Sequence, residues 1–262
     1  MSEGTSVSSG AIDADASGAG TITAAILVIG DEILSGRTKE KNIGAIADHL
    51  TAIGIELVEV RIVGDRTSAI VEALNALRSR YDYVFTTGGI GPTHDDITAD
   101  AVAEAFGVAI DEDPTALALI AAHCERRGVP LTPPRRRMAR IPASARLIKN
   151  AISAAPGFML NNVIVMAGVP SVMVAMLEDA TQYLRTGPRM HSFSILLARP
   201  EGDVAEILRT AQAANTDVAM GSYPSYTNGI PTVELVLRSR DRVRLAAAAC
   251  QLEAALRACD IL

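Results

Sequence analysis

Tryptophan is absent and aromatic residues supply only 3% of the 262 residues, so the chain has little with which to stack on single-stranded bases. A surplus of positive charge is also missing. Lys plus Arg number 24 against 30 for Asp plus Glu, a formal net charge of −6. Nucleic-acid binding draws on Lys and Arg neutralising phosphates, so no nucleic-acid partner is expected. An anionic ligand must instead be held by local geometry, a metal ion or a local basic patch. No apolar run approaches the ~20 residues of a membrane span, and no membrane partner is expected. The first twenty residues lack a basic start and an apolar core, so they do not read as a signal peptide. They are rich in Ser, Gly, Ala and Asp, which predicts a dispensable disordered tail over 1–22. Cysteine is scarce and odd in number (Cys124, Cys250, Cys259), no CxxC occurs, and the four histidines are dispersed. A disulfide framework and a Cys/His zinc site are therefore not expected, and the compartment reads as a reduced cytoplasm.

What is present is ample core material, with 49% hydrophobic residues and 21% charged. Short apolar runs alternate with stretches of helical spacing. Strands are expected at 24–30, 55–63, 83–87 and 163–166, and helices at 42–50, 67–80 and 98–106. Another helix opens at Asp113-Pro114 and stops at Gly128, and one more runs from 170 to about 184. The stretch 129–156 reads as irregular. Alternating strands and helices predict α/β, a three-layer α/β/α arrangement with a mainly parallel sheet over 23–186. After a linker at Thr186-Gly187-Pro188 the order changes to strand, helix, strand, strand, helix. This predicts a small α+β domain over 190–262. A unit of about 75 residues is small for an independent core, so it is expected to dock on the first domain or on a neighbouring subunit.

The strongest chemical signal is the run Thr87-Gly88-Gly89-Ile90-Gly91-Pro92-Thr93-His94-Asp95-Asp96-Ile97-Thr98, between a buried strand and a helix. Ligands of open α/β sheets lie outside the carboxyl ends of the strands. Glycines let the backbone approach a ligand, and successive N–H groups at a helix start favour phosphate. Asp95 and Asp96 would repel a phosphate unless a divalent cation or a proton lies between them, which is the arrangement of metal-assisted phosphate chemistry. The competing reading makes Asp96 a helix cap and Asp95 a solvated side chain. A second polar loop, Gly30-Asp31-Glu32-Ile33-Leu34-Ser35-Gly36-Arg37-Thr38, follows the first strand and leads to Asn42. Asp65 follows the second strand and reads first as a cap. Gly168-Val169-Pro170-Ser171 follows another strand. These four loops suggest one shared pocket. Arg135, Arg136 and Arg137 read either as a phosphate receiver or as a solvated helix face.

Together these runs resemble the molybdopterin-binding (MoaB/Mog-like) domain family. The resemblance is nearest to its CinA-like branch, the N-terminal half of competence/damage-inducible proteins, a domain also fused to FAD synthetase in eukaryotes. Asn150, the run Ala155-Pro156-Gly157-Phe158 and the run from Val165 to Met173 agree, and Gly221-Ser222-Tyr223-Pro224 resembles the branch's small C-terminal domain. Lys41 stands where the family often has an acidic or small residue. The resemblance implies homo-oligomers, dimeric or trimeric, and a pocket for a nucleotide or a phosphorylated pterin. The ligand would be bound by Gly30, Asp31, Glu32, Ser35, Gly36, Thr38, Asn42, Thr87, Gly88, Gly89, Gly91, Pro92, Thr93, Asn150, Gly168 and Pro170. It also implies Asp65 and Asp96 as catalytic aspartates, with Asp95 and Asp96 beside a divalent metal, Mg or similar. The activities implied are metal-dependent cleavage of FAD or ADP-ribose at the pyrophosphate, or adenylyl transfer in molybdenum cofactor synthesis. A non-catalytic pterin- or nucleotide-binding module is the third reading.

Overall fold

A computed structural model describes residues 21–262, and the tail expected before residue 21 lies outside the described residues. The first strand, β1 (Ile22–Ile29), is apolar throughout 24–29 because both of its faces are covered there. It is followed by a one-turn helix α1 (Asp31–Leu34), α2 (Asn42–Ala52), β2 (Ile55–Val63), α3 (Thr67–Arg78), β3 (Tyr83–Thr87) and α4 (Thr98–Phe106). Next come β4 (Ile110–Glu112), α5 (Pro114–Arg126), α6 (Pro133–Arg137), β5 (Arg140–Pro142), β6 (Arg146–Ile148), β7 (Gly157–Leu160), β8 (Val163–Met166) and α7 (Pro170–Ala180). Six of these strands form one sheet in the order β2-β1-β3-β8-β7-β6. The pairs β2–β1, β1–β3 and β3–β8 are parallel, and β7 and β6 are added antiparallel.

Alternation along β1 separates two cores. Ala24, Ile26 and Val28 pack with Ile46 and Leu50 of α2 and with Met173, Met176 and Leu177 of α7. Ala25, Leu27 and Ile29 pack with Ile70, Leu74 and Leu77 of α3 and with Ala101 and Val102 of α4. Helices therefore lie on both faces of a mainly parallel sheet, as the sequence pattern predicts. The chain leaves β1 towards β2 on one side and then crosses to β3 on the other. That crossing opens a crevice at the carboxyl ends of β1 and β3, the usual ligand position in such sheets.

Several local expectations change. The stretch expected to be irregular, 129–156, holds α6, β5 and β6, and β5 pairs antiparallel with β4 through Ile110↔Pro142. These elements are only three to five residues long, too short for periodicity to register. The α3 helix ends at Arg78, and β1 starts two residues earlier than expected, at Ile22.

The C-terminal unit contains β9 (His191–Leu197), α8 (Ala205–Ala214), β10 (Ala219–Thr227), β11 (Ile230–Ser239) and α9 (Arg242–Ala258). Its antiparallel sheet has the order β10-β11-β9. Asp241 caps α9 by accepting from the backbone N–H groups of Val243 (2.8 Å) and Arg244 (3.1 Å). The unit was expected to bury its apolar side chains against the first domain or another subunit. Against the first domain it does not: Val233, Leu235, Leu237, Leu245, Leu252 and Leu256 close a core made entirely of this unit's own residues. The contacts to the first domain include the ion pair Arg240–Glu56 (3.7 Å) and a hydrogen bond from Arg240 to the Thr21 hydroxyl (2.8 Å). Among the described residues, no helix is long and apolar enough to cross a membrane.

Candidate functional site

The loop after β1 is stapled to β2, because the Gly30 N–H donates to the Val63 carbonyl (3.0 Å). This turns Asp31 towards the loop after β2, and the backbone N–H of Asp31 donates to Asp65 Oδ2 (2.8 Å). Gly64 makes the approach possible: a Cβ there would stand 2.3 Å from Asp31 Oδ1. Asp65 is thus no helix cap. The residue preceding α3 is Arg66, and no side chain caps that helix. Burial pushes the Asp65 carboxyl above the usual carboxylate range, the Asp31 N–H opposes this, and the charges of Glu32, Asp31 and Asp95 raise it further. The loop closes with Ser35 N–H to the Asp31 carbonyl, Gly36 N–H to the Ile33 carbonyl and Thr38 N–H to the Glu32 carbonyl.

The loop after β3 lies against the end of β1. At Gly88, φ is +101° and a Cβ would sit 2.1 Å from the Ile29 carbonyl oxygen, so only glycine fits. Thr98, the first residue of α4, clamps this loop: its hydroxyl donates to the Gly88 carbonyl (3.0 Å) and its N–H to the Gly89 carbonyl (2.9 Å). The N–H of Gly88 donates to the Met166 carbonyl (3.2 Å), so it is engaged within the sheet and does not serve as an anion donor. Asp96 Oδ2 accepts from the Thr93 N–H (2.7 Å) and the Thr93 hydroxyl (2.6 Å). No side chain caps α4, so the capping reading fails for Asp96 as it does for Asp65. Asp95 is exposed, 4.0 Å from His94 Nδ1.

These loops border a cleft of about 550 Å³. Of the expected site residues, Glu32, Thr38, Gly88, Gly89, Gly91, Pro92, Asp96, Asn150, Gly168 and Pro170 line it. Asn42 and Thr87 line a smaller neighbouring pocket with Glu32, Thr38, Gly88, Gly168 and Pro170. Gly30, Asp31, Ser35, Gly36, Asp65, Thr93 and Asp95 lie on neither wall. Asn150 shapes the wall with its whole amide. Its Oδ1 accepts from Ile152 (2.9 Å) and Ser153 (3.1 Å) N–H groups, and its Nδ2 donates to the Ala155 carbonyl (3.0 Å). The sequence reading missed the apolar wall, which includes Ile90, Met138, Val172 and Met176. Nothing in a lone Met or Ile distinguishes a cleft wall from a core.

The arginine run is engaged by protein groups. Arg135 donates to the Pro130 carbonyl and Arg136 pairs with Glu112. Arg137 donates to the Asp96 carbonyl (3.2 Å) and to Asp100 (3.3 Å), and Arg140 also pairs with Asp100. Arg137 therefore ties α6 to the loop that carries Asp96. Among the described residues, no three His, Cys, Asp or Glu side chains are grouped as a ready-made metal cage. Mg²⁺ usually takes one or two carboxylates with waters and substrate phosphate oxygens. Asp96, on the cleft wall, and the adjacent Asp95 fit such a role.

Residues 25–186 match the family model described as "Probable molybdopterin binding domain", and residues 189–261 match "FAD synthase, middle domain". A protein of Aeropyrum pernix is 34% identical over 240 residues, covering 88% of this chain and 87% of its own length. A CinA-like protein of Citrifermentans bemidjiense is 34% identical over 223 residues, covering 82% of this chain and 53% of its own, so the chain spans about half of that relative. Among solved structures, the protein CinA of Thermoplasma acidophilum superposes with a TM-score of 0.57 at 35% identity, over 62% of this chain and 96% of that one. The chain belongs to the molybdopterin-binding domain family, in its CinA-like branch, a fold consistent with nucleotide or pterin binding.

Proposed function

We propose that the strand-end cleft binds the pyrophosphate of a nucleotide or pterin, and that the chain hydrolyses it with a divalent cation, acting on FAD or ADP-ribose. The observation that carries this reading is that Asp65 and Asp96 cap no helix. Asp65 is oriented instead by the Asp31 N–H of the neighbouring loop, and Asp96 by Thr93 within the glycine-rich loop. Burial and neighbouring charges raise the proton affinity of Asp65, as suits a general base. Gly89 and Gly91 offer backbone donors to the pyrophosphate, and Asp96, with Asp95 beside it, would hold the cation. When bound, Mg²⁺ or a similar ion would neutralise phosphate charge and acidify water. Asp96 on the cleft wall, or Asp65 in the adjoining loop, takes up the proton of the attacking water. The water oxygen bonds to one phosphorus, the bridging P–O bond breaks, and the bridging oxygen leaves with the other phosphate to give two monophosphates. We place the working protein as a homo-oligomer, dimeric or trimeric, to be read by sedimentation.

Incubation of the purified chain with MgCl₂ and either FAD or ADP-ribose tests this. Release of AMP with FMN, or of AMP with ribose 5-phosphate, supports it. Tight binding without turnover returns the chain to the binding-module reading, and turnover that requires a pterin acceptor makes it an adenylyl transferase.

A further inference from the structure

The strand β2 is the outermost of its six-stranded sheet, and among the described residues no strand pairs with its outer edge. The Val63 carbonyl accepts from the Gly30 N–H beside β1 (3.0 Å), so strand alternation turns the backbone groups of Val60 and Ile62 the other way, out of the sheet. A long bare edge is a template for another strand, and proteins usually guard one with proline or lysine. The nine residues of β2 include neither. Val58, Val60 and Ile62 are instead 52%, 38% and 39% exposed. From Glu59 to Val63 the pairing with β1 is regular, which assigns each side chain to a face. Val60 and Ile62, in register with Ile26 and Val28, stand on the α2 face. Glu59 and Arg61, in register with Ala25 and Leu27, stand on the α3 face. There the Tyr81 hydroxyl (2.6 Å) and Arg61 (2.6 Å) donate to Glu59 and fix its carboxylate.

We propose that β2 pairs edge to edge with β2 of a second copy of this chain, antiparallel about a two-fold axis at Val60, joining two six-stranded sheets into one. Charge selects both the partner and the register. With the axis at Val60, Glu59 lies opposite Arg61 of the second copy and Arg61 opposite its Glu59, two cross-strand ion pairs from one sequence. On the other face Val60 covers Val60, and Val58 covers Ile62. Moving the axis to Glu59 would set carboxylate against carboxylate, and moving it to Arg61 would set guanidinium against guanidinium. This interface rests on the homo-oligomer placed above, not on the pyrophosphate chemistry, and a two-fold edge makes that oligomer a dimer.

Sedimentation of the full chain tests this. The wild type should run as a dimer of 27.5 kDa chains. Val60→Lys, at an exposed position, should keep the wild-type circular dichroism spectrum and run as a monomer, because two ammonium groups would meet on the axis. Arg61→Glu and Glu59→Arg, each alone, should raise the dimer dissociation constant about tenfold or more, the scale of two cross-strand pairs turned from attraction to repulsion. An equal mixture of these two folded variants restores opposite charges at both pairs and should recover wild-type dimerisation. A monomeric wild type would overturn the interface and the homo-oligomer together. A wild-type trimer, a dimer that survives Val60→Lys, or a mixture of the folded charge variants no tighter than either alone would overturn the interface and leave the homo-oligomer standing.

Discussion

Asp65 is held with its proton affinity raised, chiefly by burial. The folded chain therefore binds that proton more tightly than the unfolded chain does. The resulting stabilisation is present at low pH and is lost as pH rises from the unfolded carboxylate value through the raised folded one, so ionised Asp65 opposes folding at neutral pH. Asp65→Asn keeps an oxygen to accept from Asp31 and removes the charge. Its Tm should exceed that of the wild type at pH 7, with the gain shrinking towards pH 3 in thermal melts. A lower Tm at pH 7 would contradict the assignment. Gly88→Ala should lose about 1–3 kcal/mol in urea unfolding, since a methyl group meets the Ile29 carbonyl and φ is positive. Asp65 and Asp96 were legible in the sequence as candidates, but their roles were not. The capping reading weighs local sequence alone, whereas the partner of Asp65 comes from a loop 34 positions away.

At the scale of elements, β1 and β3 were legible because short runs of apolar and β-branched residues leave few alternatives to a strand covered on both faces. The cleft wall contributed by residues 138–155 was not, because its short strands and turns carry no period and Asn150 organises its loop through backbone contacts. In the C-terminal unit, Asp217 lies just before β10, and Arg244 of α9 donates to both of its oxygens (2.7 and 2.9 Å). The Arg244 hydrogen bond lowers the Asp217 carboxyl to about 2. A depressed carboxylate contributes stability above its unfolded value, lost as pH falls towards about 2. Asp217→Asn should therefore lower the Tm of this unit at pH 7 and make little difference near pH 2, as followed by circular dichroism. An equal effect at both pH values would mean that the pair acts through packing.

Across the whole molecule, three apolar cores are distinct, and the third includes no residue of the first domain. Calorimetry should therefore resolve two unfolding transitions, one from the three-strand unit. A single transition would show that polar contacts such as Arg240–Glu56 couple the units. Strand–helix alternation was enough for the sheet. The independence of the C-terminal core was not legible, because which apolar faces meet is decided by packing. The central claim is that the cleft does pyrophosphate chemistry through carboxylates that the fold does not need as caps. It is tested most directly by the rate of Mg²⁺-dependent AMP release from ADP-ribose by Asp96→Asn. Asn can still accept from Thr93, so the variant should fold with a Tm within a degree or two of the wild type. Its rate should fall about a hundredfold or more. Full activity in the folded variant would contradict the catalytic assignment.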